Sequence, residues 1–180
     1  MSTVDNSFVL HGVITHMIKQ GKKLYCSFID FSKAFDYVER ITVWAKFIKL
    51  GIRGKMWTVL KSIYSHVKSR VRFNNNLGNE FSCFLGVRQG ESLSPFLFAM
   101  FLNDIIEHLI LNGFNGIDMY MTKLFLLLYA DDIVIFADNA EELQKGLDVL
   151  HVYCQRWKLK INAQKTKVVI FRKGGARFGN

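Results

Sequence analysis

The chain has 180 residues, half of them hydrophobic and 22% charged, which suits one domain with a sizeable core and excludes a disordered or fibrous class. Lys and Arg number 24 against 15 Asp and Glu, a net of +9 that favours a polyanionic partner such as nucleic acid. Plain solubility charge is the alternative reading of the same excess. Cys26, Cys83 and Cys154 cannot pair completely and lack metal-ligand spacing, so they read as free thiols in a reducing, intracellular setting. The N-terminus has no basic region followed by an apolar run, and no 18-residue stretch is free of charges and polar breaks. Neither a secretory signal nor a membrane span is therefore expected.

In chain order, Val9, Leu10, Val13, Ile14, Met17 and Ile18 recur at helical spacing, predicting a helix over 4–20 that stops at Gly21. Residues 23–31 are apolar on both faces and read as a central strand. Helices are expected at 40–50 and 55–67, between Gly51 and Gly54 at their junction. Residues 69–73 and 79–85 read as a hairpin around Asn74–Asn76, with Arg70 and Arg72 alternating with Val71 and Phe73. A buried helix is predicted from Ser94-Pro95 to Asn112, with Ser94 as its N-cap. Residues 124–137 read as a hairpin around an Asp pair. Asp138 and Glu141 suggest a capping box for the next helix, and 165–171 a last strand. Strands and helices alternate irregularly, so the expected class is α+β: an antiparallel sheet with helices packed on one face.

Two anomalies carry the chemistry. Asp131 and Asp132 lie between the apolar runs LFLLLYA and IVIFA. Asp is common in tight turns, which is the simpler account. Adjacent like charges against an apolar sheet are nonetheless unfavourable unless a positive group compensates them, and hard carboxylate oxygens suit magnesium. Asp30 is the second anomaly, since it ends a central strand where an apolar residue would be expected. Its alternative role is an N-cap for the segment from Ser32. If the two segments are neighbours in one sheet, the three carboxylates converge, and such a trio can hold two magnesium ions.

FIDFSKAFD (28–36), GVRQGESLSPFLFAMFLND (86–104), YADD (129–132) and LKINAQKTK (159–167) resemble, in order, successive motifs of reverse transcriptases of the non-LTR, LINE type. The resemblance covers residues 8–172. It implies an RNA-directed DNA polymerase palm with part of the fingers, using an RNA template, a DNA primer and deoxynucleotides, with two magnesium ions or manganese in their place. Asp30, the Phe31 carbonyl, Asp131 and Asp132 match the metal-binding positions. Phe35 matches the bulky residue that excludes a ribose 2′-hydroxyl, with core packing as the plainer role. Gln89 and Gly90 match the turn lining the nucleotide pocket; an ordinary strand-to-helix connection is the alternative. Lys165 matches the lysine near the triphosphate, as against a solvated surface lysine. Only 29 residues precede Asp30, and the fourth motif lies close to the last residue. The resemblance therefore implies a fragment, residues 1–172, that lacks the thumb and part of the fingers and is followed by a Gly-rich basic tail at 173–180. Two other readings remain open: an inactive nucleic-acid-binding remnant and an idle fragment.

Overall fold

The computed structural model describes residues 3–88 and 90–179. In chain order they form α1 (Thr3–Lys19), β1 (Leu24–Ile29), α2 (Ala34–Tyr37), α3 (Arg40–Lys49), α4 (Gly54–Ser65), β2 (Lys68–Ser69), β3 (Arg72–Phe73), β4 (Asn76–Leu77), β5 (Phe81–Ser82), α5 (Leu93–Phe101) and α6 (Ile105–Leu111). β6 (Ile117–Met119), β7 (Thr122–Leu124), β8 (Leu126–Tyr129), β9 (Asp132–Ala137), α7 (Ala140–Trp157), β10 (Lys167–Arg172) and β11 (Gly175–Gly179) follow. These elements divide into two compact units, residues 35–101 and the chain on either side of them.

The flanking unit is built on an antiparallel sheet of order β11-β10-β1-β9-β8. β1 lies in the middle, with Cys26 opposite Phe136 on one side and Val169 on the other. Alternate residues face opposite ways. Leu24, Cys26, Leu127 and Phe136 pack with Val13 and Met17 of α1. Their neighbours Ser27, Ile133, Ile135 and Ala137 point the other way and are at most 1% exposed. Both faces of the sheet are therefore covered, whereas the sequence reading placed helices on one. The doubly apolar pattern of β1 requires this, since a strand with two hydrophobic faces needs cover on both. α7 packs against β9 and β1 and contributes Leu143, Leu150 and Tyr153 to the core.

Several local expectations shift. Asn139, not Asp138, caps α7, and its Oδ1 accepts from the Glu142 amide at 2.7 Å. The cap logic holds one residue later. The expected tail at 173–180 contains β11, which pairs along β10 with Phe178 opposite Val169. β6 and β7 form a small hairpin whose turn has neither Gly nor Pro; Tyr120 supplies its left-handed residue at φ 54°.

In the unit of residues 35–101, α3 packs against α5 and α4. Arg40 is the organising residue, 9% exposed on a face shared with Val43 and Phe47. Its guanidinium donates to the carbonyls of Gly86 (2.7 Å), Cys83 (2.9 Å), Tyr64 (3.0 Å) and Leu85 (3.0 Å). Burial pulls its pKa down, and the carbonyls replace the water it loses. The expected hairpin appears as two short ladders, β2 with β5 and β3 with β4, around Asn74 (φ 45°) and Asn75 (φ 62°). Asn tolerates this left-handed backbone better than most residues.

The helix expected over 94–112 is two helices, interrupted at Leu102–Asp104. α5 starts at Leu93, so Ser94 lies inside it; its hydroxyl donates to the Arg88 carbonyl instead of capping. By length and composition alone, Leu93–Leu111 also passes as a membrane span, although Asp104 and Glu107 lie within it. The interruption, and the exposure of 1% or less at Leu97, Phe98, Leu102, Ile105 and Leu109, mark it as core.

Gly86 is the most closely hemmed glycine among the described residues of the 35–101 unit. It sits at φ 78°, and a Cβ there would lie 2.8 Å from the Phe35 carbonyl oxygen. Gly86→Ala is expected to lower unfolding free energy by about 2–4 kcal/mol. Gly12→Ala, in open space within α1, should raise it by up to about 1 kcal/mol. Urea melts of the two variants check both signs.

Candidate active site

The acidic residues gather at one end of the sheet because of strand register. β8 and β9 pair from Leu126–Ile135 down to Tyr129–Asp132, leaving Ala130 and Asp131 as a two-residue loop. Such a loop needs a left-handed residue, and Ala130 provides it at φ 52° without glycine's freedom. β1 and β9 pair from Tyr25–Ala137 to Ile29–Ile133. One step further along that register sets Asp30 across from Asp132. The three carboxylates named from the sequence thus belong to one unit and one sheet end.

Asp30 is held by the segment that the fourth motif occupies. Its carbonyl accepts from the Asn162 amide at 2.8 Å, and its own amide reaches Thr166 Oγ1 at 3.4 Å. Phe31 forms a bridge with Ile161, and the Ser32 amide donates to the Lys160 carbonyl at 2.7 Å. Asn162 also accepts from the amides of Lys165 and Thr166, which closes a turn and brings Lys165 Nζ to 3.9 Å from Asp30 Oδ2. Asn162 and Thr166 were not singled out from the sequence. The signal was Asn162 itself, a turn-former directly after the alternating Leu159-Lys160-Ile161.

The electrostatics show crowding. Burial, then the neighbouring Asp131, then Asp30, push the Asp132 carboxyl above the ordinary range, and Lys165 partly offsets this. Among the described residues no three His, Cys, Asp or Glu side chains stand as a ready-made ion-holding group. The carboxylates share one field without sharing ligand geometry. The donor set nonetheless fits a hard divalent cation in chemistry, being oxygen-only and mutually repulsive.

The remaining candidates lie in the other unit or outside the described residues. Phe35 packs its ring 5.1 Å from Phe98. With Gly90, Glu91, Ser92, Ser94 and Pro95 it lines an open cavity of about 520 Å³. Gly90 has φ 84° with open space where a Cβ would point, so backbone conformation is what calls for glycine. Gln89 lies outside the described residues. Arg88, beside it in sequence, pairs with Glu91 at 2.7 Å. Cys26 and Cys154 are buried and free, and burial pushes both thiols up to about 12, which leaves them inert.

Comparison with known proteins decides the family. The family model described as reverse transcriptase (RNA-dependent DNA polymerase) matches residues 2–176. The chain belongs to the reverse transcriptase family. It is 29% identical over 161 residues to a Pol polyprotein of the R2 retrotransposable element of Nasonia vitripennis, covering 89% of this chain and 16% of that protein. It is 33% identical over 174 residues to a probable RNA-directed DNA polymerase from the Drosophila melanogaster transposon BS, covering 92% and 18%. The reverse transcriptase chain thus spans a small part of these relatives' length. Among solved structures, apo telomerase from Candida tropicalis, truncated from its C-terminal domain, has TM-score 0.69 at 16% identity, covering 94% of this chain and 35% of that one. Candida albicans telomerase, solved with a fragment of telomeric RNA, has TM-score 0.68 at 13% identity, covering 98% and 31%. These establish the α+β polymerase fold.

Relief of carboxylate crowding can be measured directly. The raised Asp132 carboxyl disfavours the folded state once it ionises, so its stabilising influence is present at low pH and lost as pH rises through the raised value. In metal-free buffer Asp132→Asn should therefore raise the melting temperature at pH 7. The gain should shrink towards zero below the ordinary Asp range. Melting curves at pH 7 and pH 3.5 check the sign.

Proposed function

We propose that this chain is a polymerase palm that transfers deoxynucleotides onto a primer 3′-hydroxyl under the direction of an RNA template. What carries the reading is the placement of Asp30, Asp131 and Asp132 at one sheet end, with the Asp132 carboxyl raised by burial first and then by Asp131 and Asp30. The family match across residues 2–176 supports it independently.

In this reading the primer hydroxyl attacks the α-phosphate of the incoming deoxynucleotide, and pyrophosphate leaves. Asp30, the Phe31 carbonyl, Asp131 and Asp132 are the groups that would hold two magnesium ions, with manganese as a substitute. Bound there, such ions lower the pKa of the attacking hydroxyl and neutralise charge on the leaving oxygens. The chain's own groups do the rest. The Asn162–Thr166 turn fixes Asp30 through its backbone. Lys165, held beside Asp30, is the cation available to neutralise or protonate the departing pyrophosphate. Phe35 and Gly90 line a cavity whose ring wall suits the exclusion of a 2′-hydroxyl, and Gln89 adjoins it in sequence as the nucleotide-contacting amide.

A second reading, a nucleic-acid-binding module without synthesis, draws on the lack of a ready-made ion-holding group among the described residues. Primer extension on an RNA template by the 180-residue chain separates the two. Extension with magnesium and four deoxynucleotides is expected, falling to background in Asp131→Ala. Phe35→Ala should keep extension while admitting ribonucleotides. Extension that survives Asp131→Ala would remove the carboxylates from the mechanism. No extension from a folded chain would favour the binding module.

A further inference from the structure

The cavity of about 520 Å³ is bounded by the Phe35 ring and by residues 90–95, which contribute Gly90, Glu91, Ser92, Ser94 and Pro95. Both sides belong to the unit of residues 35–101. What fits between them depends on how firmly the 90–95 wall is held.

A network anchored on α4 holds that wall. Arg88 Nη1 donates to Glu91 Oε1 at 2.7 Å, and Arg88 Nη2 donates to the Ile63 carbonyl at 3.3 Å. The guanidinium also lies over the Tyr64 ring, 5.8 Å from its centre. Ser94 Oγ donates to the Arg88 carbonyl. Serine has one hydroxyl proton, so Tyr64 is the donor in its 3.3 Å contact with Ser94 Oγ. The backbone closes the same turn. The Glu91 amide donates to the Arg88 carbonyl at 3.4 Å, and the Ser94 amide to the Glu91 carbonyl at 3.2 Å. Tyr64 and Ser94 are 3% and 1% exposed, so this relay belongs to the core.

The Arg88–Glu91 pair is of another kind. Its side chains are 38% and 37% exposed, and pairs of that exposure add little to stability. Lys68 and Arg70 also share an acid, Glu80, at 2.6 and 3.0 Å, but on the exposed ribbon formed by β2–β5, which contributes nothing to this lining. Glu91 lines the Phe35 cavity and also a second one of about 710 Å³, which Arg88 lines too. The ion pair thus stands where the two cavities meet.

We propose that Arg88 and Glu91 form a brace that fixes the spacing between the 90–95 wall and the Phe35 ring, and so sets how strictly the cavity rejects a ribose 2′-hydroxyl. They are positioning residues that act through the wall, without contact to the sugar. The proposal rests on the reading of this cavity as the nucleotide pocket.

Primer extension with deoxynucleotides or with ribonucleotides gives the ratio of kcat/KM for the two sugars. Arg88→Met should lower that discrimination about fivefold or more, while moving the melting temperature by no more than about 2 °C. Glu91→Met should do the same, and the double variant should be no worse than either alone, because each breaks one pair. In a Phe35→Ala background Arg88→Met should change the ratio less than about twofold, since the opposing wall is gone. Hydrogen exchange at the Glu91 and Ser94 amides should quicken in Arg88→Met, a readout independent of turnover. An unchanged ratio in Arg88→Met, or an equal drop in the Phe35→Ala background, would overturn the brace and leave the polymerase reading intact. A folded wild-type chain that extends with neither sugar would overturn both.

Discussion

Like charges collected at the end of an apolar sheet are the constraint on which the rest depends. Asp30 and Asp132 fall opposite one another on adjacent strands, and Asp131 occupies the neighbouring loop. Facing like charges weaken a sheet, and here they add to burial in raising the Asp132 carboxyl. The fold tolerates them because the strands beneath are buried on both faces, so apolar packing fixes a register that the charges alone would oppose. Lys165 offsets part of the repulsion from a turn closed by Asn162. On the proposed reading, a cation bound at this sheet end would relieve that repulsion.

The division of the chain separates two kinds of work. The sheet unit carries the carboxylates, the latch at 160–166 and the long helices that bury the strands. The unit of residues 35–101 carries most of the net positive charge, the Phe35–Gly90 cavity and the exposed ribbon. Its integrity turns on Arg40, whose guanidinium gathers the carbonyls of residues 64, 83, 85 and 86. Removing such a buried charge partner leaves several acceptors unpaired, so Arg40 belongs to the fold rather than to the chemistry.

Much of this was legible in the amino-acid sequence, for stated reasons. α1, α7 and the strands of the central sheet have long or strongly patterned apolar periodicities, which survive most tertiary contexts. Asp30, Asp131 and Asp132 were visible as charges where apolar residues belong. What escaped depends on contacts distant in sequence. The interruption at Leu102–Asp104 has no Gly or Pro to mark it. β11 and the β6–β7 hairpin gain their order from pairing rather than propensity. Arg40 was detectable only as a cation in line with Val43 and Phe47, and Asn162 only once Asp30 had a neighbour. The one-residue shift of the α7 cap, from Asp138 to Asn139, reflects two adjacent residues with equal capping chemistry.

On the proposed reading, Asp30, Asp131 and Asp132 together bind a divalent cation. Manganese titration followed by electron paramagnetic resonance tests it without requiring turnover. The free-ion signal should fall as the 180-residue chain takes up manganese, with magnesium competing. Uptake should be lost in Asp131→Ala and retained in Glu80→Gln, whose carboxylate lies on the exposed ribbon. Equal uptake by the wild-type chain and Asp131→Ala would contradict the account.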